Sequence, residues 1–234
     1  MKLLLTSNGF INSSLEKDFL ELTGNRTDLK VAIIPTAGDP IEWVAVVEGD
    51  TRYDNFIPKL IGESNNGKGA DYDYFKNKGY SVIIVDLKAD SDIVREKLSS
   101  VDIISVGGGD LNYLLDWAKK SKLDSYLKDL LNKGCVYVGA SAGSMLLQPD
   151  IGLTWWEPAM KADHIGLNII NFIVAPHHRE VEILTSIESL NQKRKNLQQV
   201  INFPWIVYLL QDGQAIKVVD DKIEHIGEGV KKYI

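Results

Sequence analysis

The run Cys135-Val136-Tyr137-Val138-Gly139-Ala140-Ser141-Ala142-Gly143-Ser144-Met145-Leu146-Leu147 sets the fold class. Residues 135–138 lack polar alternation, which predicts a strand covered on both faces, as in a parallel sheet. Small residues fill 139–143, and a short helix-prone run follows at 144–147. The same rhythm recurs on either side. Apolar runs stand at 3–5, 31–34, 82–85 and 101–106, and helical spacing marks 91–99, 110–119 and 123–132. Such alternation predicts an α/β fold with a doubly wound, mostly parallel sheet. After the first strand, Asn12 or Ser13 is the expected cap of a helix carrying Leu15, Phe19 and Leu22.

Two regions depart from this rhythm. Residues 45–79 hold Gly62, Gly67, Gly69 and Asn65-Asn66, and predict a helix or two around a Gly/Asn segment. Ala215–Val219, Asp220-Asp221 and Lys222–Ile226 predict a C-terminal β-hairpin with a tight acidic turn. No linker, repeat or low-complexity tract divides the chain, so one domain over 1–234 is expected.

Composition narrows the function. The chain has 234 residues, with 26 Lys+Arg against 32 Asp+Glu and a formal net charge of -6. That balance argues against a surface for nucleic acid or anionic membrane. No stretch of about 18 apolar residues spans a bilayer. The apolar start at Leu3-Leu4-Leu5 ends too soon for a secretory signal. One cysteine, Cys135, permits no internal disulfide and, within a buried strand, should be inert. A cytoplasmic protein is the expectation.

Gly139-Ala140-Ser141-Ala142-Gly143 fits the G-x-S-x-G pattern in the setting a nucleophile elbow needs. The turn exposes the Ser141 hydroxyl at a strand's carboxyl end and aims the Ala142 N–H at a developing oxyanion. A serine also needs a base. His177 and His178 follow an apolar run, Phe172–Ala175, and Pro176, where open sheets place their sites; spacing does not choose between them. His164 reads as a surface loop residue and His225 as structural. Glu157, beside Trp155 and Trp156, is the candidate acid, with Asp150 and Asp163 as rivals. Gly107-Gly108-Gly109 joins a strand to a helix and offers free N–H groups. It lacks the Lys-Ser/Thr of a P-loop, so the other half of an oxyanion hole is its more economical use. No histidine, cysteine and carboxylate spacing marks a metal site.

With these residues assembled, the chain resembles the dipeptidase E family of serine peptidases, which includes α-aspartyl dipeptidases and cyanophycinases. The likeness lies in Leu5-Thr6-Ser7-Asn8-Gly9, Ile34-Pro35-Thr36-Ala37, Val106–Gly109 with Leu114-Leu115, the 139–143 turn, Pro176-His177 and Asp212-Gly213. It implies a three-layer αβα fold like that of class I glutamine amidotransferases. It also implies a serine exopeptidase that needs no cofactor or metal and takes short peptides, as a monomer or homodimer. By resemblance Ser141 is the nucleophile, His177 the base and Glu157 the acid, and the N–H groups of Gly109 and Ala142 form the oxyanion hole. Arg179 and His178 stand near the histidine as candidate substrate-binding residues. Asp110-Leu111 replaces the family's usual Asn-Thr, and no clear copy of its arginine motif follows the histidine. An α/β-hydrolase-type esterase with His225 as base, or a binder of small anions, is the alternative.

Overall fold

The computed structural model describes residues 1–10, 14–39, 41–45, 56–60, 70–151, 165–178, 192 and 205–234. Its centre is a seven-stranded sheet. In chain order the strands are β1 (Lys2–Thr6), β2 (Lys30–Ile34), β5 (Ser81–Ile84), β6 (Ile103–Val106), β7 (Val136–Ala140), β10 (Gln214–Val219) and β11 (Lys222–Gly227). Their spatial order is β11-β10-β1-β7-β6-β2-β5. The run β1-β7-β6-β2-β5 is parallel; β10 runs against it, and β11 returns antiparallel to β10. This is the expected αβα class, and the hairpin turns at Asp220-Asp221 as read.

Each parallel strand is apolar on both faces because helices cover both. On one face Leu3, Leu5, Ile104, Val106 and Tyr137 pack against α3 (Ser91–Ser99), α4 (Leu111–Lys120), α5 (Leu127–Asn132) and α6 (Ala142–Met145). The other face carries Leu4, Val31, Ile33, Ile103 and Val138 against α1 (Leu15–Leu22) and α2 (Ala70–Asn77). There Phe10, Phe19, Tyr74, Phe75 and Tyr80 form a connected aromatic cluster. Each fully buried side chain of this size contributes roughly 1.5–3 kcal/mol, which makes the two layers the main source of stability.

Local signals set the helix starts. Asp90 accepts from the Asp92 N–H to cap α3, and Asp110 accepts from the Tyr113 N–H at 2.8 Å to cap α4. Asp110, the departure from the family's usual Asn, therefore has a clear local role. The expected caps Asn12 and Ser13 lie outside the described residues; Ser14 stands at the N-cap of α1. The helix expected over 123–132 is broken. Lys122 turns left-handed at φ 59°, a short 3-10 turn covers Leu123–Ser125, and α5 begins at Leu127.

The region 45–79 corrects the sequence reading in part. Ile41–Ala45 (β3) and Phe56–Leu60 (β4) pair as an antiparallel ribbon, and among the described residues of this region helix begins at Ala70; Gly62, Asn65-Asn66, Gly67 and Gly69 lie outside the described residues. Pro58 fits a two-stranded ribbon, where a strand has a free edge and a missing N–H costs little. The second correction concerns 172–175. This run is a strand, β8 (Ile173–Ala175), but it lies outside the main sheet. It pairs in parallel with β9 (Val207–Leu209), which pairs in turn with β12 (Lys232–Tyr233). Gln148, fully buried just after α6, ties β8 to that segment: its Oε1 accepts from the Val174 N–H at 3.0 Å. Among the described residues no helix is long and apolar enough to cross a membrane.

Candidate active site

The carboxyl ends of β1, β6 and β7 meet at Ser141. Its backbone, φ 50° and ψ −111°, lies in a sparsely populated region. Such strain persists only where the surroundings over-determine it. Here they do. The Ser141 N–H donates to the Thr6 carbonyl at 3.1 Å, and its carbonyl accepts from Ser144 and Met145. The Ser144 hydroxyl donates to the Thr6 carbonyl at 2.7 Å, and the Tyr137 hydroxyl to the Gly143 carbonyl at 2.6 Å. Gly143 sits so close to β6 that a Cβ there would stand 2.2 Å from the Val106 carbonyl oxygen. The small residues of the elbow are thus required by contact.

Ser141 Oγ lies 2.8 Å from His177 Nε2, and His177 Nδ1 lies 2.8 Å from Asp212 Oδ1. The three side chains come from three places: the end of β7, the loop after β8, and the turn before β10. Ser7, just past β1, joins them. Its hydroxyl accepts from the His177 N–H at 2.8 Å and donates to Asp212 Oδ1 at 2.8 Å. Asn8 Oδ1 accepts from the Gly213 N–H, and the Ser7 N–H donates to the Gln214 carbonyl. The segment after β1 therefore grips both the histidine and the acid-bearing turn. His177 is held left-handed, at φ 63°.

Burial pushes the Asp212 carboxyl up, but the hydrogen bond and charge of His177 and the Ser7 hydroxyl outweigh it and hold it below the usual carboxylate range. It stays ionised at neutral pH, as an acid that orients an imidazole must. The triple glycine faces the nucleophile. A Cβ on Gly108 would stand 3.2 Å from Ser141 Cβ. Gly109, at φ 140°, has no room for a Cβ: it would meet the Ala37 carbonyl oxygen at 2.1 Å. The Asp110 N–H donates to that same carbonyl at 2.8 Å. Ala142 opens α6, so its N–H is among the donors that a helix start leaves without an intrahelical acceptor.

Of the sequence candidates, Ser141, His177, Gly109 and Ala142 come together. Glu157, Asp163, His164 and Arg179 lie outside the described residues. The carboxylate on His177 Nδ1 is Asp212, to which sequence spacing gave no role. Asp150 bridges to Ile165 instead. His178, expected at the substrate, is 2% exposed, so its ring lies in the interior. Burial, with the neighbouring charge of His177, pushes it down to about 4. His225 stands against Tyr208 and Gln214 on the hairpin, a structural position as read. Cys135 is buried, and burial pushes its thiol up to about 12, as an inert cysteine requires. Among the described residues no His/Cys/Asp/Glu group could hold a metal ion.

Fold and site together define a serine-type hydrolase. The profile of peptidase family S51 matches residues 54–226, and the chain belongs to that family, as a serine peptidase. Among curated relatives it is 27% identical over 154 residues to Peptidase E of Nostoc sp., covering 65% of this chain and 62% of the relative. It is 28% identical over 184 residues to Uncharacterized peptidase Lin0382 of Listeria innocua, covering 74% of this chain and 78% of the relative. A solved structure of a putative Peptidase E protein from Listeria monocytogenes EGD-e superposes with TM-score 0.67 at 20% identity, covering 97% of this chain and 98% of that one. A peptidase from an acI-B1 Actinobacterium superposes with TM-score 0.58 at 16% identity, covering 100% of this chain and 93% of that one. These two likenesses carry the fold.

Proposed function

We propose that this chain is an exopeptidase that removes residues from the amino end of short peptides through Ser141, His177 and Asp212. The observation that carries the reading is the continuous hydrogen-bonded line from Ser141 Oγ through His177 to Asp212, each step 2.8 Å. Ser141 Oγ attacks the scissile carbonyl while His177 Nε2 takes its proton. Asp212 holds the Nδ1 tautomer and stabilises the imidazolium that forms. The N–H groups of Gly109 and Ala142 receive the oxyanion, at the moment when charge develops there. His177 then returns the proton to the leaving amine. Water, activated by the same imidazole, releases the acyl group from Ser141.

The relatives named Peptidase E support a peptide substrate, and the resemblance in the glycine loop, elbow and Pro-His pair supports short ones. A cytoplasmic setting belongs to the same proposal, supported by a single cysteine that can form no internal disulfide. The test is release of free amino acids from a panel of di- and tripeptides. The wild type should cleave a subset and react with a fluorophosphonate probe at Ser141. Ser141→Ala should do neither while keeping its melting temperature. Wild-type turnover by Ser141→Ala would end the proposal.

A further inference from the structure

We infer that Asp71 closes a subsite beside Ser141 that takes a basic side chain, lysine or arginine, on the residue whose carbonyl is attacked. The inference rests on the peptidase reading above and names a substrate class for it.

The first turn of α2 lays Asp71 on the sheet face that carries the aromatic cluster. Its carboxyl group is hydrogen-bonded to the hydroxyl of Ser105, which is 1% exposed on β6. Side chains alternate along a strand. Ser105 therefore shares its face with Ile103 below and Gly107 above, and with Val138 and Ala140 on neighbouring β7. Above the carboxyl group that face carries a glycine and a methyl. Among the described residues, a Cβ added to Gly107 would meet within 4 Å only the Ile34 carbonyl oxygen, at 3.7 Å. Asp71, Gly107, Ala140 and Ser141 are all partly exposed. These four positions bound the proposed slot, which opens at Ser141 and ends on the Asp71 carboxyl group.

Depth selects the ligand. Ser105 lies opposite Val138. Ser141 is three residues farther along, roughly 10 Å at about 3.3 Å per residue. A substrate's α-amino group sits next to the attacked carbonyl and stays near Ser141. The flexible stem of a lysine, or an arginine, reaches down to the floor.

Charge agrees with depth. Among the described residues no cation pairs with Asp71. Burial raises its carboxyl above the usual range, and the Ser105 hydroxyl offsets this in part. A cation entering the slot would find an acid whose ionised form it stabilises. An acidic side chain would meet repulsion there.

The experiment compares kcat/KM of the full chain on lysyl-leucine, arginyl-leucine and norleucyl-leucine, with wild type and Asp71→Asn. Norleucine keeps the aliphatic stem of lysine without its charge. The wild type should prefer the two basic dipeptides by about tenfold or more. Asp71→Asn should remove that preference and leave norleucyl-leucine within twofold. Absence of a wild-type preference overturns the subsite whether or not the variant folds. An equal fall on all three substrates overturns it too. If no peptide is cleaved and Ser141 does not take up the fluorophosphonate probe, the peptidase reading falls and the subsite with it. Cleavage of all three without preference removes the subsite alone.

Discussion

The hydroxyl of Ser7 accepts the backbone N–H of His177 at 2.8 Å, across 170 positions of chain. The same oxygen donates to Asp212, so one small side chain fixes both where the imidazole stands and where its acid points. A hydrogen bond to a charged group contributes about 1.5–3 kcal/mol. Ser7→Ala should therefore lower kcat by roughly 10- to 100-fold with KM little changed. Steady-state kinetics on one cleaved dipeptide checks it, and Ser7→Thr should recover part of the loss.

Asp212→Asn tests the acid itself. The amide keeps the shape but cannot hold the imidazole in the right tautomer. The expected loss in kcat is on the order of 10³- to 10⁴-fold. A loss under tenfold would mean that another carboxylate orients His177.

Gly109→Ala puts a methyl group where the Ala37 carbonyl oxygen stands, at a φ that side chains rarely adopt. The loop must shift, and with it one of the two N–H groups proposed to receive the oxyanion. Losing one such donor costs about 10²- to 10³-fold in kcat. Far-ultraviolet circular dichroism should stay unchanged, because the strand below is anchored by its own ladder.

The turn that seats Gly109 is held from the far side. Lys88 pairs with Asp39, whose side chain is 4% exposed, and the Leu87 N–H donates to Thr36 Oγ1. Lys88→Met would leave the buried carboxylate without its cation. Breaking such a pair costs about 3–5 kcal/mol. Urea denaturation should show a loss of that order, and the double variant Lys88→Met with Asp39→Leu should recover much of it.

Stability should also depend on pH. Burial holds His178 and His225 down at about 4 in the folded chain, against an ordinary value of 6.5. The unfolded chain then binds more protons between those values, so stability rises with pH across that window and is lost as pH falls through it. His178, 2% exposed, contributes on the order of 3 kcal/mol at neutral pH. Denaturation midpoints from pH 4 to 6.5 should follow this slope, and His178→Gln should flatten it.

Which parts of this were legible in the sequence follows from what is local. The strands around Ile33, Ile104 and Val138 are apolar on both faces, and that pattern reports their burial directly. The elbow and the glycine loop were legible for the same reason: close approach demands small residues within a few positions. Asp212 was not. Nothing local distinguishes it from other acids. It reaches His177 because β8 and β9 pair in parallel and bring residues 177 and 212 to the same rim. Ser7 was visible only within a longer motif, since its two partners lie far along the chain. The ribbon of β3 and β4 escaped because Gly- and Asn-rich neighbours mask strand periodicity.

Asp212 lies on the turn before β10, far along the chain from the elbow, and β10 pairs along the whole of β1. A polypeptide still emerging from the ribosome can form the elbow from β1, β6 and β7 long before residue 212 appears. Until then Ser141 is present but His177 lacks the carboxylate on its Nδ1. On the proposed mechanism, competence to cut peptides then arrives only once residue 212 has been added and β10 has paired with β1.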